Sequence, residues 1–523
     1  MPVHFSPGRD ARRTTTGWKP DPLRMIPFGD FTYFGLLLYV VLPAILLGAL
    51  GLLDRFGRWW MLLGTLAVIA VQFSGDLAIR PGWELREIWI VLGYAAFQGV
   101  VARGFLRWKT RATFRLALGL ALLPLVLAKA LPLIAPETMF GFLGISYVTF
   151  RALDVVFSIH DGVVKTLPPA QYFAFLFFFP AISSGPIDRY RRFAQDWVKT
   201  RSRAEFFDDL DFAVARTFRG FLYKFIIAAL IHTHWLAPAS KQSGALPQLS
   251  LMYAETLYLF FDFAGYSAFA IGLGRLFGIR VPENFHAPFL SRNIREFWTR
   301  WHISLSFWFR DHVHMRFLLA AAKGQWFAGK HTANYVGLFL TFGLMGLWHG
   351  LELRFLIYGA YHAVLLCGYD WFSRWNKTAQ VWRNGPFWRA GNVVLTLHAF
   401  AFGIMIFNGH VTPKVAPRLE VLVESCDSRS VSGVVWDRAK PDERPTVDIY
   451  VDHVWVARVR ADEYREDLRQ RGMGDGRHAF SYTFGSELRG GRLQTVEVRL
   501  TGRTEFVRGT PIDVYSPREE ENR

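Results

Sequence analysis

Cysteine is almost missing from this chain. Cys367 and Cys426 are its two thiols among 523 residues, too few for a disulfide framework or a multi-thiolate metal site. Cys367 reads as filler within an apolar span and Cys426 as a lone thiol. A cleavable signal peptide is not expected, because the first apolar run is too long and follows a polar stretch rich in arginine. No nucleophile-elbow pattern is present, which leaves a Ser or Cys triad without support. Acidic residues are scarce over 1–410. Residues 411–523 hold 19 Lys and Arg against 20 Asp and Glu, so the formal charge of +17 belongs to the earlier part of the chain. Long apolar runs are missing as well, but only after residue 410.

Before residue 410 they dominate. Hydrophobic residues make up 51% of the chain and aromatics 16%. Runs such as 31–53, 115–134, 173–187 and 392–407 recur often enough to predict roughly ten or eleven membrane spans of about 20 residues each. The basic residues cluster in short loops, at 55–58, 103–115, 188–193 and 199–203. Positive charge favours the cytoplasmic side, which places those loops inside, segment 74–87 outside and the N-terminus outside. Arg9, Arg12, Arg13, Lys19 and Arg24 argue the other way. The internal loops, which agree with one another, decide. Charge confined to loops between spans belongs to the membrane part of the chain and does not call for nucleic acid.

Residues 446–461, 478–485 and 493–502 alternate apolar with polar positions between Pro, Gly and Asp, the period of antiparallel strands. A β-sandwich of about 110 residues is expected. The predicted organisation is a basic extension over 1–24, a transmembrane domain over 25–410, a linker over 411–427, a β-domain over 428–515 and a charged tail over 516–523. The β-domain resembles one appended to various bacterial glycan-modifying enzymes. It is read as a passive accessory fold, with binding of glycan or protein as the alternative.

Segment 295–317, "REFWTRWHISLSFWFRDHVHMRF", sets arginines and histidines among aromatics. Arg292, Arg295, Arg300, Arg310 and Arg316 would each cost heavily at the bilayer centre, so residues 291–316 lie at the interface or line a polar cavity. Read as a helix, it puts His302 on a face with Trp298 and Ser306. Trp298, Trp301 and Trp308 are read as interfacial anchors. A second imidazole, His349, stands in "GLMGLWHGLELRF" inside an apolar span. Such a histidine is either an interior hydrogen-bonding group or a general base facing a pathway. Gly346 and Gly350 would let a helix or substrate approach it closely. His302, His312, His314, His331 and His349 are numerous, but the His312–His314 spacing turns those rings to different sides of a helix. No metal site is expected.

These stretches also carry a resemblance. Residues 261–311, from "FDFAGYSAFAIG" through "VPENF" to "RWHISLSFWFRD", followed by "GLWHG" at 346–350, resemble the signature of the membrane-bound O-acyltransferase family. Within it, residues 25–34, 144–154, 178–193 and 306–317 are most similar to the D-alanylation branch. An alginate O-acetyltransferase branch shares the PENF, RWHIS and WHG pieces. The resemblance covers about 25–409. It implies an all-α polytopic membrane protein with about 11 transmembrane helices, thinned at its centre; the C-terminal all-β sandwich-like domain and the N-terminal extension have no counterpart in the family pattern.

The resemblance makes His349 the essential histidine and His302 its support. Ser183, Ser184, Asp188, Arg295 and Arg300 become candidates for lining a donor funnel, with interface anchoring or helix packing as the plainer reading. Trp298 and Asn284 are carried as further lining candidates, although Asn284 and Pro282 also fit a structural turn. No bound cofactor is implied. The donor would be a D-alanyl thioester on the phosphopantetheine of an acidic carrier protein. The acceptor would be a hydroxyl of a cell-envelope polymer or of a small single-span peptide. The formal reaction class assigned is O-acyl transfer of groups other than amino-acyl or D-alanyl esters. Polysaccharide O-acetylation is the alternative enzyme, and a non-catalytic polysaccharide transporter or scaffold the alternative of another class. The inner membrane is the expected location, with the β-domain on the cytoplasmic side.

Overall fold

The computed structural model describes residues 27–29, 31–73, 85–134, 141–381, 385–411, 419–438, 440–452, 454–485, 488, 492–501 and 512–516. The expected basic extension 1–24, most of the 74–87 loop and nearly all of the charged tail lie outside the described residues. Contacts divide the chain into a helical unit ending at Thr412 and a β unit beginning at Pro413.

The helical unit starts with α1 (Phe31–Ala49), α2 (Leu53–Phe73), α3 (Leu85–Arg107) and α4 (Arg111–Ile134). Pro43, Pro124 and Pro132 lie inside α1 and α4, as membrane helices tolerate when neighbours take up the freed carbonyls. Next come α5 (Ile145–His160), α6 (Pro169–Phe177) and α7 (Tyr190–Val198). Almost every side chain of α5 is buried, the mark of a helix enclosed on all sides. It starts at Gly144, where φ is +92° and a Cβ would come 2.3 Å from the Ile182 carbonyl oxygen. Only glycine fits there.

α8 (Arg203–Phe221) opens on a capping box. The Glu205 amide donates to Ser202 Oγ, and the Ser202 amide donates to the Glu205 carboxylate. The helix continues through a π turn (Leu222–Ala228), α9 (Ala229–Ile231), a second π turn (His232–Leu236) and α10 (Ala237–Ala239). Against it lies α11 (Ala245–Leu276), 32 residues long and so roughly 48 Å. After the PENF loop come α12 (Ile294–Trp298), α13 (Ile303–Phe309), a π turn (Arg310–His314) and α14 (Met315–Gly324). α15 (Lys330–His349), α16 (Leu353–Ala379) and α17 (Pro386–Phe407) finish the unit. α15 and α16 meet through glycines: a Cβ at Gly346 would lie 2.2 Å from the Phe355 carbonyl oxygen, and one at Gly359 2.2 Å from that of Phe342.

Among the described residues, five helices are long and apolar enough to cross a membrane, namely α1, α3, α4, α11 and α17. Ten or eleven spans were expected. Apolar runs such as 173–187 fold instead into pieces, with α6 only 9 residues long and followed by a 3-10 turn at Phe179–Ala181. The three tryptophans read as anchors are core residues. Trp298, Trp301 and Trp308 are 8%, 5% and 3% exposed, and the Trp308 indole donates to the Phe150 carbonyl at 3.1 Å. Their packing partners come from distant elements, which local spacing does not show.

The β unit comprises β1 (Leu419–Cys426), β2 (Ser430–Asp437), β3 (Thr446–Val451), β4 (Val454–Arg460), β5 (Glu463–Tyr464), the short helix α18 (Glu466–Gln470), β6 (Arg477–Thr483), β7 (Arg492–Leu500) and β8 (Ile512–Ser516). Two antiparallel sheets form, in the orders β1-β2-β6-β5 and β4-β3-β7-β8. Val423, Val431 and Phe480 of one share a core with Ile449, Val496 and Val498 of the other, the packing of a β-sandwich. Two expectations change. β1 fills much of the stretch read as linker, because Val421 and Val423 alternate with glutamates. The stretch 446–461 is a hairpin, turned where Asp452 takes φ +49°.

Candidate active site

Three segments far apart in sequence converge on the two candidate histidines. The first is 183–188. Ser183 Oγ and the Tyr266 hydroxyl share a hydrogen bond of 2.8 Å, and the Ser184 amide donates to the same hydroxyl at 3.2 Å. Asp188 Oδ1 accepts from Arg192 Nε at 2.9 Å and from the Arg189 amide at 2.6 Å. The second is the PENF loop. Asn284, fully buried, donates from Nδ2 to Ser267 Oγ at 3.1 Å and accepts from Ser304 Oγ at 2.6 Å. Ser304 Oγ in turn accepts from the Ile187 amide at 3.0 Å. One asparagine thus joins α11, α13 and the 183–188 segment.

The third segment is the turn before α13. α12 stops at Trp298, Phe285 bridges to Trp301, and the Ile303 amide donates to the Asn284 carbonyl. Between those ties His302 adopts φ +44°, ψ +50°, a left-handed conformation that a side chain other than glycine rarely takes. The expectation of a shared helical face for His302, Trp298 and Ser306 therefore fails. The helix is broken at His302 because its backbone is spent on the loop.

His302 is 6% exposed, its Nε2 is buried without a partner, and its ring stands 4.8 Å from Phe263. His349 is the last residue of α15. Its Nδ1 is also buried and unpartnered, inside a wall formed by Trp348, Phe355, Tyr358 and Phe407. The Trp348 indole ring lies 4.5 Å from His349 and 6.5 Å from His302. Tyr147 packs on that indole at 5.8 Å and against Gly185, where a Cβ would come 2.8 Å from the Tyr147 ring. The 183–188 segment is thereby one residue removed from the wall that both histidines share.

The remaining candidates are placed elsewhere. Arg295 is paired with Asp370 at 2.8 Å and lies over Tyr369. Arg300 donates to Glu296 at 2.7 Å. Trp298 stands 5.0 Å from both Phe342 and His362. His312 does not face His314: its Nε2 meets Asp154 at 2.9 Å beside Arg189, whereas His314 faces Gly337.

Several residues at the site had no signal in the local pattern. Tyr266, Ser304, Phe263 and Phe407 take part only through tertiary contact. His362, fully buried in α16, has neither ring nitrogen partnered. An imidazole in an apolar run was its one visible sign. Chemically, the arrangement offers the buried His302 imidazole and the half-buried His349, each with one buried, unpartnered ring nitrogen, among aromatic rings and next to a backbone tied down by Asn284. Such a place suits proton transfer to or from a bound hydroxyl.

The chain belongs to the membrane-bound O-acyltransferase family, whose model matches residues 145–411. It is a multi-pass membrane protein of that class. The teichoic acid D-alanyltransferase of Bacillus subtilis (strain 168) is 41% identical over 398 residues, covering 74% of this chain and 98% of the relative. That of Lacticaseibacillus rhamnosus is 34% identical, again over 74% of this chain and 98% of the relative. The probable alginate O-acetylase AlgI of Pseudomonas syringae pv. tomato is 37% identical over 228 residues, 43% of this chain and 42% of the relative. The formal reaction class expected above is overturned. It set D-alanyl ester transfer aside, whereas relatives matched over nearly their whole length carry that activity in their names.

Proposed function

We propose that this protein moves a D-alanyl group from the thioester of a phosphopantetheinyl carrier protein to a hydroxyl of a cell-envelope polymer or of a relay peptide, with His349 as general base. The observation that carries the reading is the free, buried Nδ1 of His349 at the end of α15, walled by four aromatic rings. A hydroxyl is a weak nucleophile at neutral pH. His349 takes its proton as the oxygen attacks the thioester carbonyl; the C–S bond then breaks, and the departing thiolate recovers the proton. His302 acts beside it, supporting the charge that develops, and Trp348 keeps the two rings in one wall. The basic loops offer a complementary surface to an acidic carrier.

The test is transfer of labelled D-alanine from a loaded carrier protein to membranes holding wild type or His349→Ala at matched amounts. Loss of transfer in the variant supports the reading, and equal transfer in both removes His349 from the chemistry. A second reading, O-acetylation of an exported polysaccharide, draws on the similarity to AlgI over 43% of the chain. Wild type that ignores the alanyl carrier and accepts an acetyl donor would favour it.

A further inference from the structure

A polar cleft beside α8 is not used by the acyl-transfer reading. It encloses about 360 Å3 between Arg216, Arg219 and Tyr223 on one side and Ser267, Glu283 and His286 on the other. Arg216 gives one end of its guanidinium to Glu283, while its Nε is buried without a partner. Arg219 has no carboxylate partner among the described residues. Two guanidinium groups and an imidazole thus face one carboxylate, and the cleft is built for an anion. A guanidinium fork matches phosphate oxygens in particular.

The surroundings narrow the occupant. Phe218, Leu222 and Ile226 are 70%, 45% and 52% exposed. Spaced four residues apart across the end of α8 and the π turn that continues it, they run along the side of the helix next to Arg219. The opposite side, with Ala213 and Gly220, is pressed on α11, where Cβ positions at Gly220 and Gly272 abut Phe269 and the Ala213 carbonyl. A small soluble anion would use the cationic cleft and leave this apolar stripe bare. An amphiphile uses both, and basic pockets between membrane helices take anionic lipid headgroups in this way.

We propose that the Arg216–Arg219–His286 cleft binds the phosphate headgroup of an anionic membrane lipid, whose acyl chains lie along Phe218, Leu222 and Ile226. Ser267 in its wall is bonded to Asn284, and Asn284 holds Ser304, two residues beyond His302. A seated headgroup therefore braces the loop that sets the His302 turn. The site does not depend on which acyl group the protein moves.

The experiment uses the full chain, purified in detergent and stripped of lipid, then titrated with phosphatidylglycerol or phosphatidylcholine and read by native mass spectrometry. Arg219→Gln removes an exposed cation that has no carboxylate partner among the described residues; Arg216→Lys keeps a charge for Glu283 but loses the fork. Wild type is expected to retain phosphatidylglycerol about fivefold better than phosphatidylcholine, and Arg219→Gln to abolish that preference. Arg216→Lys should weaken it while unfolding at the wild-type temperature. Equal phosphatidylglycerol retention by wild type and both variants would overturn the site. Displacement of the lipid by glycerol 3-phosphate at equal concentration would overturn the lipid as its occupant.

Discussion

The ring of Phe407 stands edge-on to the His349 imidazole, with centroids 4.9 Å apart and planes at 89°. Phe407 ends α17, and the two polar residues that follow are anchored on α11. Asn408 Nδ2 and His410 Nε2 lie 2.8 Å and 2.7 Å from the carboxylate oxygens of the buried Glu255. One carboxylate thus fixes the ring that fixes the imidazole. Replacing Phe407 by Ala leaves His349 free to turn, and misplacing a base by about 1 Å lowers a rate by roughly a hundredfold. Transfer of labelled D-alanine by Phe407→Ala should fall between about tenfold and a hundredfold with protein amount matched. A wild-type rate would mean that His349 needs no such support.

Asn284 should matter for stability first. Its amide satisfies Ser267 and Ser304 at once, and no water reaches it. Asn284→Ala leaves both hydroxyls short of a buried partner, at about 1–3 kcal/mol each, so the unfolding temperature in detergent should drop by several degrees. Asn284→Asp keeps the acceptor for Ser304 and loses only the donor to Ser267. Its loss should be smaller in geometry but carry the penalty of a buried charge. An Asn284→Ala protein as stable as wild type would show that the loop holds itself.

Much of this was legible in the sequence, and the losses have physical causes. The division between helical and β units followed from where apolar runs end. Both histidines stood out because imidazole is costly among apolar residues. The break at His302 was hidden, since neither proline nor glycine marks "WTRWHIS"; the backbone there is bent by bonds to Asn284 and Phe285, some twenty residues earlier. Phe407 and Tyr266 were hidden for the same reason, because a packing partner leaves no period in the chain that receives it. The resemblance made Arg295 and Arg300 candidates for a donor funnel; the ion pair of Arg295 with Asp370, 75 residues further on, has no sign in the local sequence, whereas Glu296 stands one helical turn before Arg300.

In the β unit, Cys426 should be a slow thiol. Burial pushes its pKa up to about 11, and the neighbouring Asp427 carboxylate adds to the rise. The thiolate is the reactive form, so at pH 7.5 the reactive fraction falls roughly a hundredfold or more below that of an ordinary cysteine. Labelling by iodoacetamide, followed peptide by peptide, should lag the unfolded chain at pH 7.5 and climb about tenfold per pH unit toward pH 10. Rapid labelling of the native protein at pH 7.5 would show an open, unperturbed thiol.

His302 allows its backbone and its imidazole to be separated. At φ +44° any L side chain is strained, by roughly 1–2 kcal/mol relative to glycine. His302→Ala keeps the strain and removes the ring; His302→Gly removes both. The glycine variant should therefore unfold at a higher temperature than the alanine variant, by about 1 kcal/mol in stability after the greater freedom of its unfolded chain is counted. If the imidazole takes part in transfer, both variants lose activity to the same extent despite their different stabilities. If His302 serves only to hold the turn, His302→Gly recovers wild-type transfer while His302→Ala does not. Unfolding curves and transfer rates on the same two proteins decide between a chemical and an architectural histidine.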